Sequence, residues 1–174
     1  MKLRRSLLRG AWIVMGLLAV GRAEAALNMV LNIPGIPGDA TLPGYEGQIN
    51  VLAWSWGASN SGTCSIPGQL NLQDLSLTKY TDPASTPIAA ALKNSTVLAS
   101  ATLTIQNAGT GQVSETIVLS NVKVSSYSAG GSGGEDRLTE NVTFGFSQAV
   151  ITYFYVGGKG NTSNTVTITA PGCP

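Results

Sequence analysis

The sequence contains no histidine among its 174 residues. That removes Ser-His-Asp and Cys-His catalytic machinery and any His-ligated metal centre. Charge is also scarce. Only 11% of residues are charged, against about 25% in ordinary globular chains. Paired with 43% hydrophobic residues, so little charge excludes disorder, which needs the opposite balance. Aromatics make up 6%, too few for extended stacking platforms on nucleic acid or sugar. No segment after the first 25 residues approaches the ~18 continuous apolar residues of a membrane-spanning helix, so no stable membrane insertion is expected there.

What is present begins with an address. Lys2, Arg4, Arg5 and Arg9 precede an uncharged apolar stretch, AWIVMGLLAVG at 11–21, followed by Ala23-Glu24-Ala25. A basic start, a short apolar run and an A-x-A end read as a secretory signal peptide over residues 1–25, cleaved between Ala25 and Ala26. The apolar run is far below the ~20 residues that span a bilayer. The expected product, residues 26–174, is a single domain placed in the periplasm or secreted. It keeps Lys79, Lys93, Lys123, Arg137 and Lys159 against eight carboxylates, a net charge of −3. No basic patch remains to neutralise phosphates, which argues against a nucleic-acid partner. Both cysteines, Cys64 and Cys173, lie in the exported part, 109 positions apart. An even count in an oxidising compartment predicts a disulfide. An intrachain bridge is the first expectation and a bridge between copies the alternative.

The exported part reads as all-β with one short helix, a compact β-barrel. Alternation is clean in Ala101–Gln106, Val142–Ser147 and Val166–Thr169. Ile117 and Leu119 point one way, and Val122 and Val124 continue on the opposite face. Leu70 and Leu72 change phase to Leu75 and Leu77 around Asp74, which predicts a β-bulge. With strands at 28–33, 48–57 and around Ile151, Tyr153 and Tyr155, the total is about eight. Asp82–Lys93 breaks the pattern. Ser85 or Thr86 suits a cap, Pro87 suits the first turn, and Ile88, Ala91 and Leu92 share one helical face. Glycine-rich loops are expected at 34–47, 57–68 and 129–134.

Candidate chemistry is sparse. Glu135, Asp136 and Glu140 form the one acidic cluster in the sequence, with Arg137 among them. Their spacing fits no calcium loop, and they read as a solvated loop entering a strand. AGGSGG lacks the G-K-[ST] ending of a phosphate loop. Lys79 and Tyr80 beside Asp82 come with no nucleophile. Trp54 and Trp56 share one strand face and read as packing aromatics. No enzyme activity, cofactor or metal follows from these residues.

Four stretches carry a resemblance. INVLAWSWG at Ile49–Gly57, LNLQDLSLTKYTDPASTP at Leu70–Pro87, AGGSGGEDRLTENVTFGF at Ala129–Phe146 and, more weakly, ASATLTIQNA at Ala99–Ala108 resemble the Hcp family, the tube proteins of bacterial type VI secretion. The resemblance implies a β-barrel subunit that closes into six-membered rings, which stack into a tube and shelter effector proteins. It implies no catalytic residues. It places ring-to-ring contact on the loop at 58–68, here carrying Ser59, Gly62, Cys64 and Pro67. The export signal and the tail Gly157–Pro174 depart from the family pattern. The expected function is thus an exported, self-assembling ring or tube protein, working with a type VI apparatus or repurposed. The alternative is a secreted monomeric β-barrel binding module.

Overall fold

In the computed structural model, residues 26–134, 136–157 and 160–171 are described, with backbone alone at 156, 157, 160 and 161. The signal segment 1–25, Glu135 and Cys173 lie outside them. The strands are β1 Leu27–Asn32, β2 Ile49–Asn50, β3 Ala53–Ser55, β4 Ala58–Asn60, β5 Leu70–Leu72 and β6 Leu75–Tyr80. After the helix α1 (Ser85–Lys93) come β7 Leu98–Asn107, β8 Val113–Gly130, β9 Thr139–Gly145, β10 Gln148–Gly157 and β11 Gly160–Thr169. The mostly-β fold with one short helix matches expectation. The strand number does not: eleven among the described residues replace about eight, because the 48–57 run and the leucine row each divide into short pieces.

Strand β8 organises the sheet. Its first half pairs with β7 on one side and β10 on the other, and its second half pairs with β9. The change of partner falls at Asn121, whose φ is +50°, followed by a register shift between Val124 and Ser126. Asn tolerates this left-handed conformation better than most side chains. The kink turns both rows of the sequence pattern inward, so Ile117, Leu119, Val122 and Val124 are all buried in one core.

The main sheet runs β2-β1-β7-β8-β9-β6-β3, with β10 and β11 branching from β8. Its two ends belong to one segment, Ile49–Ser55. Val51 N–H donates to Met29 O at 3.0 Å and Leu52 N–H to Thr78 O at 2.8 Å. The sheet curls until this segment touches both β1 and β6, but no regular ladder closes it. The phase change at Asp74 is a strand break and not a bulge. Leu70–Leu72 pairs with β4 in a separate two-stranded sheet, whereas Leu75 begins β6 in the main one.

Helix α1 packs on β8 through buried Ile88 and Ala91. Neither Ser85 nor Thr86 caps it. Ala84 holds the cap position without a side-chain bond, and Asp82 Oδ1 instead accepts from Ala84 N–H at 2.9 Å. Pro87 sits in the first turn, where its missing N–H costs nothing.

Candidate assembly surface

Two hairpins stand away from the core. The first is the arm β4–β5. Its rungs are Ala58–Leu72, Ser59–Asn71 and Asn60–Leu70, continued by Ser61 N–H to Gln69 O and closed by the Thr63–Ile66 bridge. The expected loop at 57–68 is thus partly strand, and Ser59 lies within β4. Gly62, Cys64 and Pro67 lie toward the tip, and all four residues are exposed. A Cβ on Gly68 would collide with the Gly62 backbone, so only glycine lets the two sides approach here. Ile66, beside the tip, is 64% exposed.

The second hairpin is the outer half of β10–β11. On one face of β10, Ala149 and Ile151 are buried in the core. Tyr153 and Tyr155 continue the same face and are about half exposed, as is Val166 opposite Ile151. A core-facing row therefore runs off the end of the body uncovered. At its root, Tyr153 pairs across the strands with Glu115. Burial pushes the Glu115 carboxyl up, more than the Tyr153 hydrogen bond lowers it. The Glu115 charge, burial and that same bond push the Tyr153 phenol up.

The body contains a buried charge cluster. Lys79 is fully buried and Glu140 is 1% exposed. They face each other across β6 and β9 with Lys79 Nζ 2.7 Å from Glu140 Oε2 and 2.7 Å from Asp82 Oδ1. Lys79 Nζ also donates to Tyr80 O at 2.8 Å and to Ser85 Oγ at 3.0 Å. Ser85 Oγ donates to Glu140 Oε2 at 2.8 Å, and Tyr127 Oη to Glu140 Oε1 at 2.8 Å. Burial raises the Glu140 carboxyl, but bonds from Lys79, Tyr127 and Ser85 and the Lys79 charge outweigh it, leaving its pKa below the ordinary value. Burial, with the hydrogen bond and charge of Glu140, pushes the Tyr127 phenol up to about 12.

This cluster corrects the reading of Glu140 as part of a solvated acidic loop. Asp136 stays exposed, and Arg137 pairs with Asp39 at 2.7 Å. Desolvation raises the Asp39 carboxyl, while Arg137 and Asn50 together hold it below the ordinary value. The signal for the cluster lay in the alternation. Lys79 falls in the inward row of Leu75 and Leu77, and Glu140 in that of Val142 and Phe144. A charge in a core row needs a partner. The cluster has the form of a clamp joining β6, β9 and the helix start. Trp54 and Trp56 pack against the core, as the aromatic-packing reading expects.

The comparisons agree with this architecture. The family model for the type VI secretion system effector Hcp matches residues 30–153. Protein hcp1 of Pseudomonas aeruginosa is 43% identical over 135 residues, covering 74% of this chain and 83% of that protein. A solved type six secretion system protein superposes with TM-score 0.75 at 26% identity, over 83% of this chain and 96% of its own. Hcp1 from Salmonella typhimurium gives TM-score 0.72 at 23% identity over 83% and 95%, a likeness of fold. Family match, sequence relative and shared fold converge: this chain belongs to the Hcp family of type VI secretion.

Proposed function

We propose that the chain is a structural subunit that assembles with copies of itself into rings, six-membered as the resemblance implies, which stack into a tube. The observation that carries this reading is the 43% identity to hcp1 across 74% of the chain. Two features support it. The arm offers an exposed tip at the place the resemblance assigns to ring stacking. The uncovered row Tyr153, Tyr155 and Val166 offers apolar area that a monomer leaves in water.

The N-terminal pattern adds a location. Cleavage between Ala25 and Ala26 places the subunit in the periplasm or outside the cell, where a Cys64–Cys173 disulfide forms in oxidising surroundings. No helix among the described residues is long and apolar enough to cross a membrane. Its partners are other copies, then effector or apparatus proteins, and its work is assembly rather than catalysis. Electron microscopy of the exported protein tests this, with annular particles expected and featureless monomers contradicting it. N-terminal sequencing tests the location: Ala26 as first residue is expected, and Met1 refutes it.

A further inference from the structure

Glu115 lies where the core of the body passes into the uncovered row. It stands two residues before Ile117 on β8, in the inward row of Ile117 and Leu119. Its cross-strand neighbours are Ile105 on β7 and Tyr153 on β10. We propose that Glu115 is a proton-operated brake on assembly: ionised, it opposes closure of a second copy over Tyr153, Tyr155 and Val166, and protonated, it permits closure. This rests on the self-assembly reading above and adds its regulation.

The surroundings supply the motive. An inward row is a costly place for a carboxylate without a cation. Glu140 stands in such a row too, but with Lys79 at 2.7 Å. Glu115 has no such partner. Strand β7 presents Ile105, with Met29 of β1 behind it, and β10 presents Tyr153, with Asn164 of β11 behind it. None of these carries a cationic charge, and among the described residues no charged side chain offsets the burial of Glu115. Its Oε1 is sealed from solvent and meets no hydrogen-bond donor among the described residues. A buried oxygen without a donor costs more on a carboxylate than on a neutral acid. The Tyr153 hydrogen bond favours the ionised form, but burial outweighs it.

Assembly sharpens this imbalance. In one copy Glu115 is part-buried and Tyr153 beside it is about half exposed, so water still screens the charge. A second copy laid over Tyr153 and Tyr155 takes that water away, because Tyr153 is the cross-strand neighbour of Glu115. Coverage adds desolvation to a group whose proton affinity burial already raises, so the covered state binds the proton more tightly than the free one. The sign is fixed by linkage. Association is strongest below the titration point of the free subunit and weakens as pH climbs through the higher point of the assembly. One proton per covered copy limits the change to about tenfold per pH unit.

The test is sedimentation velocity on residues 26–174 and their Glu115→Gln variant, from about pH 8 to about pH 5 at fixed salt. The concentration for half-assembly of the natural chain should fall by about tenfold as Glu115 takes up its proton. Glutamine copies the neutral acid, so the variant should assemble at pH 8 as tightly as the natural chain does at pH 5, with the slope gone. Tyr153→Phe keeps the ring but removes the bond that favours the ionised form, and should move the transition to higher pH; it also carries the test if Glu115→Gln loses its β spectrum by circular dichroism. An assembly that ignores pH, a slope that persists in Glu115→Gln, or assembly that weakens on acidification, as a cation from the second copy would cause, overturns the brake alone. Monomers of both proteins at every pH overturn the self-assembly reading and the brake with it.

Discussion

The body and the projecting hairpins solve opposite problems. In the body, strands β6 to β9 and the helix bury their apolar rows, and even a lysine and a glutamate lie inside because they satisfy each other. In the arm and the outer β10–β11 hairpin, strand pairing persists without burial. Residues 61–67 are all exposed, and β11 is a long edge strand exposed from 162 to 167. A two-stranded hairpin gains little from its own ladder in water. Backbone pairing alone thus gives these parts their shape, and apolar side chains such as Ile66, Tyr155 and Val166 are left exposed.

The largest expected effect lies in the body. Glu140→Ala removes one of the two carboxylates on buried Lys79 and the acceptor of Ser85 and Tyr127, and should cost about 3 kcal/mol, read as a lower urea midpoint. Next is Gly38→Ala. A Cβ there would strike the backbone of Gln48 and Ile49, and the forced shift should cost about 1–3 kcal/mol in the same measurement.

The cluster also sets a pH dependence. The Glu140 pKa is depressed by folding, so its contribution is present above the unfolded value, about 4.3, and is lost as pH falls through the lower folded value. Tyr127 has the opposite sign. Its pKa rises to about 12, so its contribution is full below about 10 and disappears as pH climbs through about 12. Urea midpoints across pH should fall at both ends, and Tyr127→Phe should shrink the alkaline loss, leaving the part that the raised Tyr153 phenol contributes.

The smallest effect on folding is expected in the hairpins. Tyr155→Ser with Val166→Ser should change monomer stability by less than about 0.5 kcal/mol, measured by denaturation at a dilution where subunits are separate. The same pair should abolish assembly.

The sequence made the body legible and the hairpins less so, for a physical reason. Period-2 alternation reports burial, and it located β7, β9 and both halves of β8 through Ile117, Leu119, Val122 and Val124. It failed at Asp74, where the phase change marked a move between sheets. A bulge and a strand break shift the side-chain phase alike, and only the partner strand separates them. In the arm, Ser59 and Asn60 pair without an apolar row, so alternation carried no message and the segment read as loop. Lys79 and Glu140 were visible in the correct rows, but charge pointed outward more strongly than register pointed inward. In the sequence Ser85 or Thr86 suits a cap, whereas the Ser85 hydroxyl serves the ion pair.

The most direct test of this division is light scattering on residues 26–174 and their Tyr155→Ser, Val166→Ser variant, each paired with a circular dichroism spectrum. The expected result is a discrete ring-sized oligomer for the natural chain and a monomer with an unchanged β spectrum for the variant. A natural chain that stays monomeric at high concentration, or a variant that loses its β spectrum, would contradict it.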